Sequence, residues 1–350
     1  MINVFLSICK KGLVIPAFFY VGVLSSCDRD VKKADLNTLS LSGPTMGTRY
    51  NVKLVSESTD YSQAEIKKWI DDELLRINQS MSTYIADSEL SRFNQLNPDT
   101  VFAVSKDLCH LIQVNNEISV ASAGRYDVTV GPLVNLWGFG PEGRQDIPSQ
   151  AQITEAKQKV GYEALSFDCE ENRLIKSKPV YVDLSASAKG YAADLVASLL
   201  QNKGFSHAMV EIGGELRVLG QNASGGAWKI AVEKPTLGRS GGMQVLALTE
   251  VGVATSGDYR NYYEIDGKRI SHTIDPLTSA PITHSLASVT VIMGSAALAD
   301  AWATAFNVLG PEEGFRIAVE QNIAAYFISR EQDDFSVKYT PAFEQYMVNL

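Results

Sequence analysis

The feature that most constrains the fold is a run of short strand-like segments in the second half of the chain. The segments HAMVEIGG, ELRVLG, WKIAVEK, MQVLALT and GVATSG follow one another between residues 207 and 257. Parallel neighbours need a crossover of a dozen or more residues, so strands joined this closely favour antiparallel pairing. The run therefore predicts a mainly antiparallel sheet, with the helices of the chain grouped on one side of it.

Helices are predicted where apolar residues recur with helical spacing. In residues 62–79, apolar side chains at positions 66, 69, 70, 74 and 77 form one face, which is typical of an amphipathic helix. Together with the strand run, the pattern predicts an α+β fold of mostly antiparallel sheets with helices packed on them. Further helices are predicted over about 105–122, 151–160, 187–203 and 295–309, strands over 48–56, 173–184 and 288–293, and a hairpin over 262–274 with an Asp-Gly turn at 266–267.

Composition and charge limit the partners. The chain of 350 residues has 45% hydrophobic and 20% charged residues, as ordinary globular proteins do, and its formal net charge is −9. An acidic chain without a basic block argues against a nucleic-acid partner. Binding a polyanion such as a nucleotide would need a local device, such as a metal ion or a few placed lysines.

The N-terminus has the pattern of a targeting signal. Lys10 and Lys11 precede an apolar run from Gly12 to Leu24, which is short for a membrane span and has the length of a signal-peptide core. The following Ser25-Ser26-Cys27 resembles the cleavage box of bacterial lipoproteins. We therefore expect residues 1–26 to be a lipoprotein signal peptide, Cys27 to be lipidated and residues 27–43 to form a tether. The alternative is an uncleaved anchor helix.

Two further inferences concern the mature protein. Asp28 after the cysteine is similar to the signal that retains some lipoproteins at the periplasmic face of the bacterial inner membrane. Only Cys109 and Cys169 remain in the body of the protein, without CxxC or metal spacing, so no disulfide framework is implied. We interpret them as small core residues, and the sequence leaves open whether they pair.

The stretch ALADAWATAF, residues 297–306, combines a strong helix-forming composition with an acid and a hydroxyl. Asp300 and Thr304 are four residues apart and therefore share one face of the helix. A carboxylate is seldom buried without a partner. The pair indicates either a functional site or a local hydrogen bond on a solvated edge.

Other stretches could form functional sites, but each also has an ordinary structural explanation. In DLSASAKGYAADLV, Lys189 and Gly190 open a helix, which is typical of an anion site or of an exposed lysine after a turn. His272 lies near Asp275 and is either a proton acceptor or a structural hydrogen-bonding residue. The glycines and aromatic residues of PTMGT (44–48) and GRYDVTVGPLVNLWGFG (124–140) fit either a pocket for a flat ring or the edge of a core.

These stretches occur together and in a defined order. PTMGT, MSTYIADSELSRFN, GRYDVTVGPLVNLWGFG, DLSASAKGYAADLV, EIGGELRVLG, SGDYRNYYE, SHTIDPLTSAP and ADAWATAF follow one another from residue 44 onward. The sequences of these stretches and their order closely resemble the ApbE family of FAD:protein FMN transferases, over residues 44 to about 330. The resemblance implies one α+β catalytic domain over residues 44–350.

The resemblance also implies roles for individual residues. Mg²⁺ would be held at the FAD pyrophosphate by Asp300, Thr304 and the backbone carbonyl of Ala186, a small set of hard oxygen ligands. His272 matches the histidine proposed to take the proton of the acceptor threonine. The residues implied in FAD binding are Met46, Tyr84, Arg125, Tyr126, Asp127, Asp183, Lys189 and Ile274. At the position of Arg125 the family usually has a smaller residue.

The implied reaction is Mg²⁺-dependent transfer of FMN from FAD to a threonine of an acceptor protein, with release of AMP. Expected acceptors carry a flavinylation motif, as do subunits of sodium-pumping or electron-transport complexes; the motif does not occur in this chain. The alternatives are an FAD pyrophosphatase that yields FMN and AMP, and a non-catalytic flavin-binding lipoprotein. Ser279 departs from the family, which usually has glycine there, and would strain its turn if that turn needs a positive φ.

Overall fold

The computed structural model describes residues 37–348 with the exception of 57–59, 141–145, 236–241, 260, 266 and 333. The predicted signal peptide, Cys27, the tether up to residue 36 and the aspartate of the predicted Asp-Gly turn lie outside the described residues. The described residues belong to one compact unit. Among the described helices, none combines the length and the hydropathy that a membrane span requires.

An eight-stranded sheet organises the domain, and every neighbouring pair in it is antiparallel. Its strand order is β1-β2-β6-β7-β10-β15-β16-β17, and smaller sheets are formed by β3-β5-β4, β8-β9, β11-β12 and β13-β14. The strands are β1 Asn37–Thr45, β2 Thr48–Ser56, β3 Phe102–Ala103, β4 Leu165–Asp168, β5 Arg173–Lys176, β6 Ala208–Ile212, β7 Glu215–Leu219, β8 Trp228–Glu233, β9 Gly242–Leu248, β10 Gly252–Gly257, β11 Tyr262–Ile265, β12 Lys268–Ser271, β13 Ile274–Asp275, β14 Ala280–Pro281, β15 Leu286–Met293, β16 Ala324–Glu331 and β17 Asp334–Tyr339.

The helices follow the predicted positions closely. Ser62 begins the first one with a capping box, in which its side chain and that of Glu65 bond reciprocally to backbone N–H groups. The α+β prediction is confirmed by these elements and the antiparallel sheets. The helices are α1 Gln63–Met81, α2 Glu89–Gln95, α3 Lys106–Ala121, α4 Gly131–Leu136, α5 Gln150–Lys157, α6 Ala188–Asn202, α7 Ala296–Glu320 and α8 Pro341–Glu344.

The large sheet is covered on both faces. Helices α6 and α7 pack on one face, and the main hydrophobic core lies between them, the sheet and α1. On the other face, Val218, Trp228, Leu246 and Phe343 form a second core with the β8–β9 hairpin and α8. Helices α6 and α7 are in close contact: a Cβ atom on Gly190 would lie 2.2 Å from the carbonyl oxygen of Ala296. This contact brings the start of α6 to the first turns of α7.

Helix α7 bends where the prediction ends it. Gly310 has a φ of 81°, and Pro311 follows it, so residues 296–309 form the predicted helix and a second helical segment continues to Glu320.

Two sequence predictions require correction. Residues 37–43, expected in the tether, belong to β1, because Leu39 and Leu41 alternate with polar residues and the strand pairs along its length with β2. The strand predicted over 173–184 ends at Lys176. Beyond it the backbone is held by other partners: Val182 N–H donates to Asn94 Oδ1, and Asp183 N–H donates to the carbonyl of Val128.

The two body cysteines form a disulfide, which corrects their interpretation as core residues alone. Cys109 on α3 is bonded to Cys169, which follows β4, over a sequence separation of 60 residues. Spacing did not reveal the pair because packing of α3 against β4 brings the two sulfur atoms together.

Candidate active site

A cavity of about 480 Å³ lies among the start of α6, the first half of α7, the segment 124–140 and residues 272–276. The chain segments that line it are far apart in sequence, and tertiary packing assembles them. It is lined by all the predicted site residues of the domain except Met46, namely Tyr84, Arg125, Tyr126, Asp127, Asp183, Ala186, Lys189, His272, Ile274, Asp300 and Thr304.

A second cavity, of about 650 Å³, adjoins the first and is lined by Met46. The two cavities share Tyr84 and Lys189 among their lining residues. Tyr84 is 80% exposed, so its ring is free to cover a ligand at the boundary of the two cavities. Together the cavities offer the space that a large cofactor requires.

Asp300 is one of the buried carboxylates that line the first cavity. It is only 5% exposed, so the alternative of a hydrogen bond on a solvated edge is wrong. Its Oδ2 atom accepts a hydrogen bond of 3.2 Å from the backbone N–H of Gly190 and lies 3.6 Å from Lys189 Nζ. Burial raises the pKa of Asp300, while Lys189 and the Gly190 N–H oppose that shift.

Lys189 lies between two acids. Its Nζ is 2.9 Å from Glu215 Oε1 and 3.6 Å from Asp300 Oδ2, so the interpretation of Lys189 as an exposed lysine is wrong. Burial alone would lower the pKa of Lys189, but attraction by the two carboxylates outweighs it and raises that pKa. Burial and the neighbouring Asp300 raise the pKa of Glu215 to about 8, against the opposing influence of Lys189.

Glu215 is the residue of this cluster that the sequence analysis missed. It lies at the start of β7, is 5% exposed, and pairs in register with the buried Ile212 of β6. The signal was present in EIGGEL, where a glutamate occupies the inward side of an apolar hairpin. Its partner in the motif, Glu211, instead bonds near the surface to Asn51 and to the N–H of Gly214.

The triplet Arg125–Asp127 supports the cavity wall. Arg125 pairs with Asp275, and the buried Tyr126 donates its hydroxyl hydrogen bond to Asn115 in the interior. Asp127 Oδ1 accepts from the backbone N–H and the hydroxyl of Thr129, and its Oδ2 accepts from the N–H of Tyr162. The side chains of Tyr126 and Asp127 therefore hold the loop in place.

His272 follows β12 and lines the first cavity. Its Nδ1 lies 2.9 Å from the carbonyl oxygen of Asn261, and its ring meets Phe139 edge-on with centroids 6.1 Å apart. Because a carbonyl can only accept, Nδ1 carries the proton in this contact, and Nε2 is left with a lone pair. Burial lowers the pKa of His272, which favours this neutral form.

Ser279 stands where the family usually has glycine, and its backbone has the positive φ at which a serine strains the turn. Its φ is 59°, a left-handed conformation that glycine adopts more readily. The N–H of Ser279 donates to the backbone carbonyl oxygen of Asp275 at 2.8 Å, and the carbonyl of Ser279 accepts from Trp137 Nε1 at 2.9 Å. The turn therefore fixes the position of Asp275, and with it Arg125, at the edge of the cavity.

Among the described residues, no group of three or more His, Cys, Asp and Glu side chains is placed to hold a metal ion. Lys189 instead forms an ionic cluster in the first cavity with the buried carboxylates of Glu215 and Asp300, and Thr304 also lines this cavity. With the aromatic lining, fold and site define an α+β protein whose cleft suits a large ligand that carries both a flat ring and anionic groups.

Comparison with known proteins gives the family. The model of the ApbE family matches residues 46–327, and the chain belongs to this family. The FAD:protein FMN transferase of Escherichia coli (strain K12) is 40% identical over 98% of this chain and 99% of its own length. That of Vibrio cholerae serotype O1 is 41% identical over 93% of this chain and 96% of its own.

Solved structures of ApbE flavin transferases are similar to the fold of this chain. The flavin transferase ApbE from Vibrio cholerae matches with a TM-score of 0.82 at 41% identity, over 89% of this chain and 99% of that one. The apo form of the Pseudomonas stutzeri flavinyl transferase ApbE matches with a TM-score of 0.82 at 39% identity, over 89% of this chain and 97% of that one.

Proposed function

We propose that this protein attaches FMN to a threonine hydroxyl of an acceptor protein, taking the FMN from FAD and releasing AMP in an Mg²⁺-dependent reaction. Transfer of FMN from FAD to a protein is the activity for which its relatives at 40–41% identity are named. Those relatives align with nearly the whole chain, so the activity is assigned to this chain. The threonine acceptor and the dependence on Mg²⁺ go beyond those names.

The observation that carries the Mg²⁺ proposal is the pair of buried carboxylates, Asp300 and Glu215, beside Lys189 in the first cavity. Within the described part of the chain, the buried Asp300 and Glu215 share Lys189 as their one cationic partner, and Glu215 Oε2 has no hydrogen-bond partner there. Hard oxygen donors of this kind fit Mg²⁺, which takes few protein ligands and is completed by phosphate oxygens. Asp300, Thr304 and the carbonyl of Ala186 would hold the ion, which when bound would neutralise charge on the pyrophosphate.

The other lining residues would bind and orient FAD. Lys189, which lines the first cavity at the start of α6, would contact a phosphate, and the first N–H groups of a helix favour an anion. Tyr84, Met46 and Phe139 supply apolar surface for the flavin ring across the two cavities. Arg125 and Ile274, which also line the first cavity, would limit access of water to the bond that breaks.

His272 would act as the general base. Its Nε2 would take the proton of the acceptor hydroxyl while the threonine oxygen attacks the FMN-side phosphorus. The new bond joins that oxygen to phosphorus, the pyrophosphate bond breaks, and AMP leaves with the electron pair. The Asn261 carbonyl keeps the imidazole in the tautomer that this role requires, because it holds the proton on Nδ1.

The proposed location is the periplasmic face of the bacterial inner membrane, with the protein anchored through lipid on Cys27. The Cys109–Cys169 disulfide supports an oxidising compartment, because cytosolic thiols are kept reduced. A Cys27→Ser variant should accumulate as an unprocessed precursor without labelled fatty acid. Normal processing and lipid labelling of that variant would remove the proposal.

One incubation tests the reaction. The protein is mixed with FAD, Mg²⁺ and an acceptor domain that carries the flavinylation motif, with the same acceptor lacking its threonine as the matched control. We expect an acceptor that carries covalently bound, fluorescent FMN, together with free AMP, and we expect no flavin on the control. Free FMN and AMP without labelled acceptor would indicate a pyrophosphatase, and the absence of turnover would indicate a flavin-binding protein.

A further inference from the structure

Glu215 is a buried carboxylate with one satisfied and one unsatisfied oxygen. Oε1 lies 2.9 Å from Lys189 Nζ, whereas the buried Oε2 has no hydrogen-bond partner among the residues that the structure describes. A buried acceptor without a partner is destabilising, and such atoms are rare in folded proteins. Glu215 lines the first cavity together with Asp300, so a ligand of this cavity can supply the missing partner.

The charge of the cluster shows why a third ionic residue is needed. Lys189, Glu215 and Asp300 together have one positive and two negative charges when ionised. Without Glu215, Lys189 would neutralise Asp300, and a divalent cation there would meet no net negative charge and a like-charged ammonium group. When all three groups are ionised, Glu215 leaves the cluster with a net negative charge, and Lys189 keeps a partner when Asp300 binds the cation.

The arrangement of the backbone favours a fixed position for Glu215. It begins β7 directly after the Gly213–Gly214 turn and pairs with the fully buried Ile212 in the central part of the sheet. Asp300 is likewise held by the first turn of α6 through the Gly190 N–H. A strand, β7, and a helix, α7, thus present their carboxylates to the same lysine.

We propose that Glu215 is a further anionic residue of the cation site, a role that rests on the proposed Mg²⁺ dependence. Oε1 would retain Lys189 in the cavity, and the charge of the carboxylate would act on an Mg²⁺ held by Asp300. Residues that support a metal from outside its ligand set typically change metal affinity 10- to 100-fold when they are replaced. A shift of about this size is expected for Glu215.

The test is a titration of the full chain with MgCl₂ in the absence of FAD, followed by thermal unfolding and by calorimetry. Glu215→Gln keeps the shape of the side chain and removes its charge, and should weaken Mg²⁺ binding about 10- to 100-fold. The matched control is Glu211→Gln, in the same hairpin but outside both cavities, which should bind Mg²⁺ as the wild type does. Unchanged affinity in Glu215→Gln would overturn the proposal.

A double-mutant cycle separates a direct effect on the cation from an anchoring effect on lysine. In a Lys189→Met background, Glu215→Gln should still weaken Mg²⁺ binding, because the carboxylate acts on the cation itself. If the effect of Glu215→Gln disappears in that background, Glu215 is only an anchor for Lys189 and the proposal is wrong.

Two further variants complete the design. Glu215→Asp keeps the charge and serves if Glu215→Gln does not fold; its loss of Mg²⁺ affinity should be smaller, and a loss of 10-fold or more would contradict a role for the charge. Asp300→Ala reports on the cation site itself. If it binds Mg²⁺ normally, the proposed Mg²⁺ dependence fails; if it loses Mg²⁺ and Glu215→Gln does not, only the role of Glu215 fails.

Discussion

Reduction of the Cys109–Cys169 disulfide should lower the free energy of unfolding by about 4 kcal/mol. The bond closes a loop of 60 residues. In the chain-entropy treatment, opening a loop of that length returns about 14 cal/mol/K to the unfolded chain, which corresponds to about 4 kcal/mol at 25 °C. The native contacts of α3 with β4 remain, so the change acts mainly on the unfolded state.

The assay is urea unfolding of the full chain with and without dithiothreitol, followed by circular dichroism. The reducing agent leaves every other atom of the protein in place, so the comparison needs no correction for a cavity or a new polar group. A Cys109→Ala/Cys169→Ala variant is the control and should not respond to dithiothreitol. A loss below about 1 kcal/mol in the wild type would refute the loop-closure reasoning for this bond.

Three other predictions follow from the site. Ser279→Gly should raise the free energy of unfolding by about 1 kcal/mol, measured by urea unfolding, because glycine relieves the left-handed backbone at φ 59°; lower stability would contradict the strain. His272→Ala should bind FAD but flavinylate on the order of 10² to 10⁴ times more slowly, with partial recovery at high pH. Because burial lowers the pKa of His272, the neutral base of the wild type should persist below pH ~6.5, the ordinary histidine pKa; a pH profile identical in mutant and wild type would make His272 structural. Asp300→Ala should lose most transferase activity and Mg²⁺-dependent FAD affinity, whereas excess Mg²⁺ should rescue Thr304→Ala better, because the hydroxyl is a neutral ligand; near-normal activity of Asp300→Ala at low Mg²⁺ would exclude it as a ligand.

The elements that depend on neighbours along the chain were predictable from the sequence. The apolar face of α1, the strands from β6 to β10 and the helix ending before Gly310 all appear where their patterns indicated. Helical periodicity and strand alternation arise from backbone geometry, so a short stretch contains the whole signal. The same reason explains why Asp300 and Thr304 were correctly expected on one helix face.

Tertiary structure decided what no short stretch contains. Glu215 and Lys189 meet only because α6 packs on β7, and Cys109 reaches Cys169 only through the packing of α3 on β4. The segment after Lys176 looked like a strand, yet Asn94 and Val128 took its backbone hydrogen bonds. Pairing between distant segments depends on which surfaces the folded core brings together, and local propensity has no information about that choice.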